Sequence, residues 1–160
     1  MKATDVKPIV VGVDGSPAAE RALRWAMDEA MIRGCAVHVV NAWDYEPLAD
    51  WEQTAERDAV VRSEALVEEA LRSVAVGRLD FPLIVRRSLR GTAAEVLEEA
   101  ARDTDLLVVA SHTGHRLRDI VLGSTSTHCV LHSAVPVVVI PAQEAPHDNR
   151  IVAGHAADRG

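Results

Sequence analysis

The sequence predicts a single α/β domain built on an open, doubly wound parallel sheet, and three observations carry that prediction. Five short, apolar, β-branched runs recur along the chain. Segments with helical spacing separate them, and strands that alternate with helices make βαβ crossovers. Such crossovers are right-handed, so a reversal of strand order leaves the sheet open, with helices on both faces. Length agrees, because 160 residues close one sizeable core and leave little for a second domain.

Pro8-Ile9-Val10-Val11-Gly12-Val13 reads as the first strand. Asp14-Gly15-Ser16-Pro17 follows with a turn, a serine N-cap and a proline at the first helical position. Ala22/Leu23, Ala26/Met27 and Ala30/Met31 then repeat at helical spacing, with Arg21, Arg24, Asp28 and Arg33 between them, and Gly34 ends the helix. Cys35 to Val40 is the second strand, and Asn41 to about Trp51 a polar loop. From Glu52 to Val74 the pairs Val60/Val61, Leu66/Val67 and Ala70/Leu71 trace a second amphipathic helix. A shorter third strand is expected at Phe81 to Arg86. Thr92 and Glu95 match a capping box that opens a helix with Val96, Leu97, Ala100 and Ala101 inward. Leu106 to Ala110 is apolar on both faces, as a central parallel strand should be. A loop runs from Ser111 to Leu122, a last helix starts at Gly123-Ser124-Thr125-Ser126 and carries Val130 and Leu131, and Val135 to Pro141 is the final strand. The domain is thus expected over 1–141, with 142–160 a flexible tail that lacks periodicity.

Composition narrows the function. The net charge is −7 and basic residues are scattered, so the clustered Lys and Arg needed to neutralise a nucleic-acid backbone are missing. The chain opens without the apolar run of a signal peptide, and no stretch approaches the roughly 18 apolar residues of a membrane span. A cytoplasmic protein with no membrane or nucleic-acid partner is expected. Cys35 and Cys129 lie among apolar neighbours and read as small buried hydrophobes. His128 and His132 are four apart on the last helix without an evident third ligand, so no metal site is expected.

In doubly wound sheets ligands bind beyond the carboxyl ends of the strands, where strand order reverses. Val13 and Asp14 stand at the first such end, and the Asp14 carboxylate can accept from a ribose hydroxyl or an adenine amine, or else bond nearby backbone amides in a turn. Gly123 and Ser124 at a helix start suit phosphate, because free amides and the helix dipole face the anion, although the pair equally makes a plain N-cap. His112, His115, Arg116 and Arg118 make the preceding loop locally cationic.

Three segments together are specific. Ile9 to Ser16, Val39-Val40-Asn41-Ala42-Trp43, and Leu122-Gly123-Ser124-Thr125-Ser126 running on to Pro136–Pro141 resemble the universal stress protein family, in family order, from about Pro8 to Pro141. The resemblance implies the adenine nucleotide alpha-hydrolase-like fold with strand order 3-2-1-4-5, and a dimer formed through the edge strand Val135 to Ile140. It also implies two subgroups, one binding ATP through a loop of pattern G-x2-G-x9-G-[ST] and one that lacks the loop and binds no nucleotide. Counting back from Gly123, the upstream glycine positions fall on Ala110 and Thr113, with Gly114 one residue late. The matched residues are Asp14 for adenosine, Ala42 for a backbone contact to adenine, and Gly123, Ser124 and Ser126 for phosphate, with Val13, Ala110, His112, Thr113, Gly114 and Thr125 completing the expected site. The expectation is a stress-response sensor for an adenine nucleotide, ATP favoured and Mg2+ its companion, or alternatively a dimeric scaffold without nucleotide. Phosphoacceptor Asp and Lys positions of a receiver domain, a G-x-G-x-x-G turn, a G-x-S-x-G elbow, an H-E-x-x-H helix and a P-loop are all missing, so no catalytic residue is assigned beyond slow incidental ATP hydrolysis.

Overall fold

The computed structural model describes residues 6–44, 52–111 and 122–142. Among these, the elements in chain order are β1 (Ile9–Gly12), α1 (Pro17–Arg33), β2 (Val37–Trp43), α2 (Glu52–Ala75), β3 (Ile84–Arg90), α3 (Ala93–Ala101), β4 (Leu106–Ala110), α4 (Ser124–His132) and β5 (Val137–Ile140). All strands run parallel in the order β3-β2-β1-β4-β5, so the order reverses between β1 and β4.

Period-two alternation along the strands sorts the core into two layers. Ile9, Val11, Val37, Val39 and Val108 pack with Leu23, Met27 and Val67 of α1 and α2. Val10, Val40, Leu107 and Val109 pack with Leu97 of α3 and Cys129 of α4 on the opposite face. Both cysteines are free and buried, as expected for small hydrophobes.

The first helix begins and ends as its sequence requires. The Ser16 hydroxyl accepts from the Ala19 amide at 3.1 Å, and Gly34 takes the left-handed conformation at φ 67° that closes the helix. Arg24 then donates to the carbonyls of Ser73 and Val74, which lie in the last turn of α2 where carbonyls lack helical partners.

Several boundaries and faces differ from expectation, each for a tertiary reason. β2 runs on to Trp43, because β3 pairs with it as far as Arg90. β3 accordingly lies later than expected and is as long as β2, leaving Phe81 and Leu83 exposed before it. Met31, Val61, Val130 and Leu131 are exposed despite their helical spacing, since each sits at the margin of its apolar stripe. In α4 the buried residues are instead Ser126 and Cys129. At α3 the Thr92 hydroxyl accepts from the Glu95 amide at 3.4 Å and donates to the Glu95 carboxylate at 2.8 Å. That carboxylate meets the hydroxyl instead of reaching back to the Thr92 amide. The expectations for the polar loop at 45–51, for the loop at 112–121 and for the tail beyond Ala142 lie outside the described residues.

Candidate functional site

A cleft opens at the carboxyl ends of β1, β2 and β4, beside the point where strand order reverses. Val13 and Asp14 follow β1, Asn41 and Ala42 belong to β2, and Ala110 ends β4. Ala93 and Leu97 of α3 and Thr125 in the first turn of α4 close the cleft from the other side. Gly12 forms part of the floor because α3 crosses it closely: a Cβ there would stand 2.8 Å from Leu97 Cδ1.

Asp14 is held by its own turn. Its Oδ1 accepts from the Ser16 amide at 3.0 Å, and Gly15 between them takes φ 83°, a conformation that favours glycine. The carboxylate therefore makes the local bond of a turn-forming aspartate and also borders the cleft. Behind it the buried Asn41 amide donates to the Val13 carbonyl at 2.7 Å.

α4 points the start of its dipole at this region. Gly123 is its N-cap and supplies no side-chain bond; the first backbone bond of the helix runs from the Thr127 amide to the Gly123 carbonyl at 2.9 Å. The amides of Ser124, Thr125 and Ser126 come before that bond and have no acceptor within the helix. Ser126 turns its side chain toward its own helix cap. It is buried, and its hydroxyl donates to the Gly123 carbonyl at 3.1 Å, the nearest acceptor in a turn whose glycine cap has no side chain.

Of the residues expected from sequence, Val13, Asp14, Ala42, Ala110 and Thr125 line one cleft. Gly123, Ser124 and Ser126 are not among the lining residues, and His112, Thr113 and Gly114 lie outside the described residues. Sequence reasoning missed Leu97 and Asn41. Leu97 reads only as a core residue until α3 is laid across Gly12, whereas Asn41 carried a signal, a single amide directly after an apolar strand.

The described lining encloses about 120 Å3, less than the roughly 300 Å3 at which ligand pockets usually begin. With its Val, Ala and Leu walls it suits a flat apolar fragment such as a base. A wider groove of about 530 Å3 runs along the outer flank of α3 beside β3, where Arg87 and Arg90 face Glu95, Glu99 and Asp103. It does not include the β1 to β4 reversal, and at the start of α3 it presents the carboxylate of Glu95.

The histidines of α4 are bound to protein. His128 Nε2 donates to Glu98 of α3 at 2.8 Å and holds that carboxyl below the usual carboxylate range. His132 stacks on the His128 ring with centroids 4.3 Å apart and donates to the His128 carbonyl at 3.0 Å. Among the described residues no group of three potential ligands could hold a metal ion, and no helix is long and apolar enough to cross a membrane.

Comparison with known proteins agrees with this architecture. A universal stress protein of Mycobacterium tuberculosis is 33% identical over 140 residues, covering 84% of this chain and 48% of the relative. The chain thus spans about half the length of the curated relatives it matches. Among solved structures, a universal stress protein in complex with cAMP superposes with a TM-score of 0.65 at 23% identity, covering 87% of this chain and 98% of the other. The universal stress protein from Archaeoglobus fulgidus in complex with dAMP gives 0.54 at 23% identity, covering 84% and 97%. Residues 5–141 match the profile of the universal stress protein family, and with the sheet order and the three sequence segments already described, the chain belongs to the universal stress protein family.

Proposed function

We propose that this chain binds an adenine nucleotide, ATP favoured, at the carboxyl ends of its strands and acts as a stress-response sensor in the cytoplasm. The observation that carries the reading is convergence: Asp14 after β1, Ala42 of β2 and Thr125 of α4 border one cleft although they are far apart in sequence. The base lies between Gly12 and Ala42, the ribose meets Asp14, and the phosphates run toward the open amides at the start of α4, with Mg2+ on the phosphates. The complexes of related proteins with cAMP and dAMP support the ligand class.

The working unit is residues 1–141, and no residue is assigned a catalytic role. A homodimer forms through Val135 to Ile140. Among the described residues β5 pairs only with β4 and offers the uncharged run Val137-Val138-Val139-Ile140 at the sheet edge, which pairing about a two-fold axis would cover.

One observation favours a second reading, a dimeric scaffold without nucleotide: Ala110 and Thr113 stand where the ATP-binding pattern has glycine. Thermal unfolding with ATP, AMP, cyclic AMP and GTP, with and without Mg2+, separates the two. A ligand at a hundredfold its Kd adds about 2.7 kcal/mol to stability, or roughly 5–10 °C for a chain of this size. That rise is expected with adenine nucleotides and should vanish in Asp14→Ala. No shift at millimolar nucleotide refutes the sensor and leaves the scaffold.

A further inference from the structure

Four polar groups, from the turn after β1 and from β2, α2 and β3, meet behind the cleft. Ser88 Oγ lies 2.6 Å from Ser63 Oγ, Ser63 Oγ lies 2.6 Å from Asn41 Oδ1, and Asn41 Nδ2 lies 2.7 Å from the Val13 carbonyl. Asn41 and Ser88 are in register on β2 and β3, and Ser63 of α2 sits over both. Asn41 and Ser63 are buried at 7% and 3% exposure, so water does not substitute freely for these bonds.

The direction of the chain follows from its end. A carbonyl only accepts, so the Asn41 atom facing Val13 must be the nitrogen, which turns Oδ1 toward Ser63. Oδ1 also only accepts, so Ser63 must spend its single hydroxyl proton there. Ser63 can then only accept from Ser88. A helical serine commonly returns its proton to a carbonyl in the preceding turn, and Ser63 gives it to another element instead. Hydrogen bonds aligned in this way polarise one another.

The carbonyl at the end belongs to the peptide plane that joins Val13 to Asp14, and a planar peptide turns as one body. On the other side the Val13 amide is tied to the Val40 carbonyl at 2.9 Å. We infer that Asn41, Ser63 and Ser88 are positioning residues for the ligand-facing corner, a one-way hydrogen-bond chain that sets the Val13–Asp14 plane and so aims the Asp14 carboxylate. Neither Ser63 nor Ser88 lines the cleft, so both tune nucleotide affinity without touching the ligand. The inference rests on the nucleotide reading only for the ligand that is measured.

The test uses Asn41→Asp, Ser63→Ala, Ser88→Ala and the conservative Ser63→Thr. Two readouts are taken well below the unfolding temperature: the Kd for AMP by calorimetry, and exchange of the Ser16 amide, which is bonded to Asp14, in nucleotide-free protein by NMR. Asn41→Asp keeps the size but cannot donate to Val13, so AMP binding should weaken about tenfold; Ser63→Ala should cost about fivefold and Ser88→Ala about twofold, the scale of one lost hydrogen bond or less. Ser16 exchange should quicken in the same order, and Ser63→Thr should restore both readouts. Unchanged exchange in Asn41→Asp and Ser63→Ala overturns the inference, as does a lower melting temperature with Kd and exchange unmoved. Should the wild type bind no AMP while exchange still follows the series, the nucleotide reading fails and the positioning role stands.

Discussion

Gly12→Ala probes the joint between fold and cleft with a single methyl group. Gly12 needs no unusual backbone angle, so the penalty is steric: the new Cβ would stand 2.8 Å from Leu97 Cδ1 and 3.1 Å from Cδ2. Carbon atoms in contact prefer about 3.5–4.0 Å, so the pair must separate by roughly 0.5–1 Å. Leu97 is only 5% exposed and packed with Val10, Val40 and Val109, which leaves the cleft as the direction of relief. Overpacking of this kind costs about 1–3 kcal/mol, or roughly 3–10 °C in Tm at this chain length. A Leu97 displaced into the cleft also takes space from the base, so AMP binding should weaken. Calorimetric melting of the double-mutant cycle with Leu97→Ala is the assay. Leu97→Ala alone should cost about 2–5 kcal/mol, but Gly12→Ala added to it should be nearly free, giving a coupling of about 1–3 kcal/mol. A Gly12→Ala protein that melts with the wild type, or strictly additive effects in the cycle, would refute the close-approach argument.

Glu98 titrates below its ordinary value because His128 donates to it, so its contribution to stability is whole above pH about 4.5 and is lost as pH falls through the depressed folded-state value. Glu98→Gln and His128→Leu should each flatten that part of the acid limb in urea melts, and an unchanged limb in both contradicts the pairing. The homodimer should sediment as such at micromolar concentration, and Val139→Lys on the half-buried β5 edge should yield a folded monomer, the lysine head reaching water along its stem. A wild-type monomer at that concentration removes the edge-pairing proposal.

Alternating apolar runs and helical spacing, the cap at Ser16 with Pro17, the stop at Gly34 and the buried cysteines were all legible in the sequence, because each depends on neighbours within a few residues. The corner at Asp14 and Gly15 was legible for the same reason. What tertiary structure alone decided is which residues meet across the chain. β2 reaches Trp43 and β3 begins at Ile84 because two strands extend each other's ladder, a pairing that neither run reveals by itself. Leu97 lies over Gly12, and Ser88 and Ser63 stand behind Asn41, through contacts made only when α3 and α2 settle on opposite faces of the sheet. Local chemistry is written in short range along a chain, whereas a cleft is a coincidence of distant segments that exists only after packing.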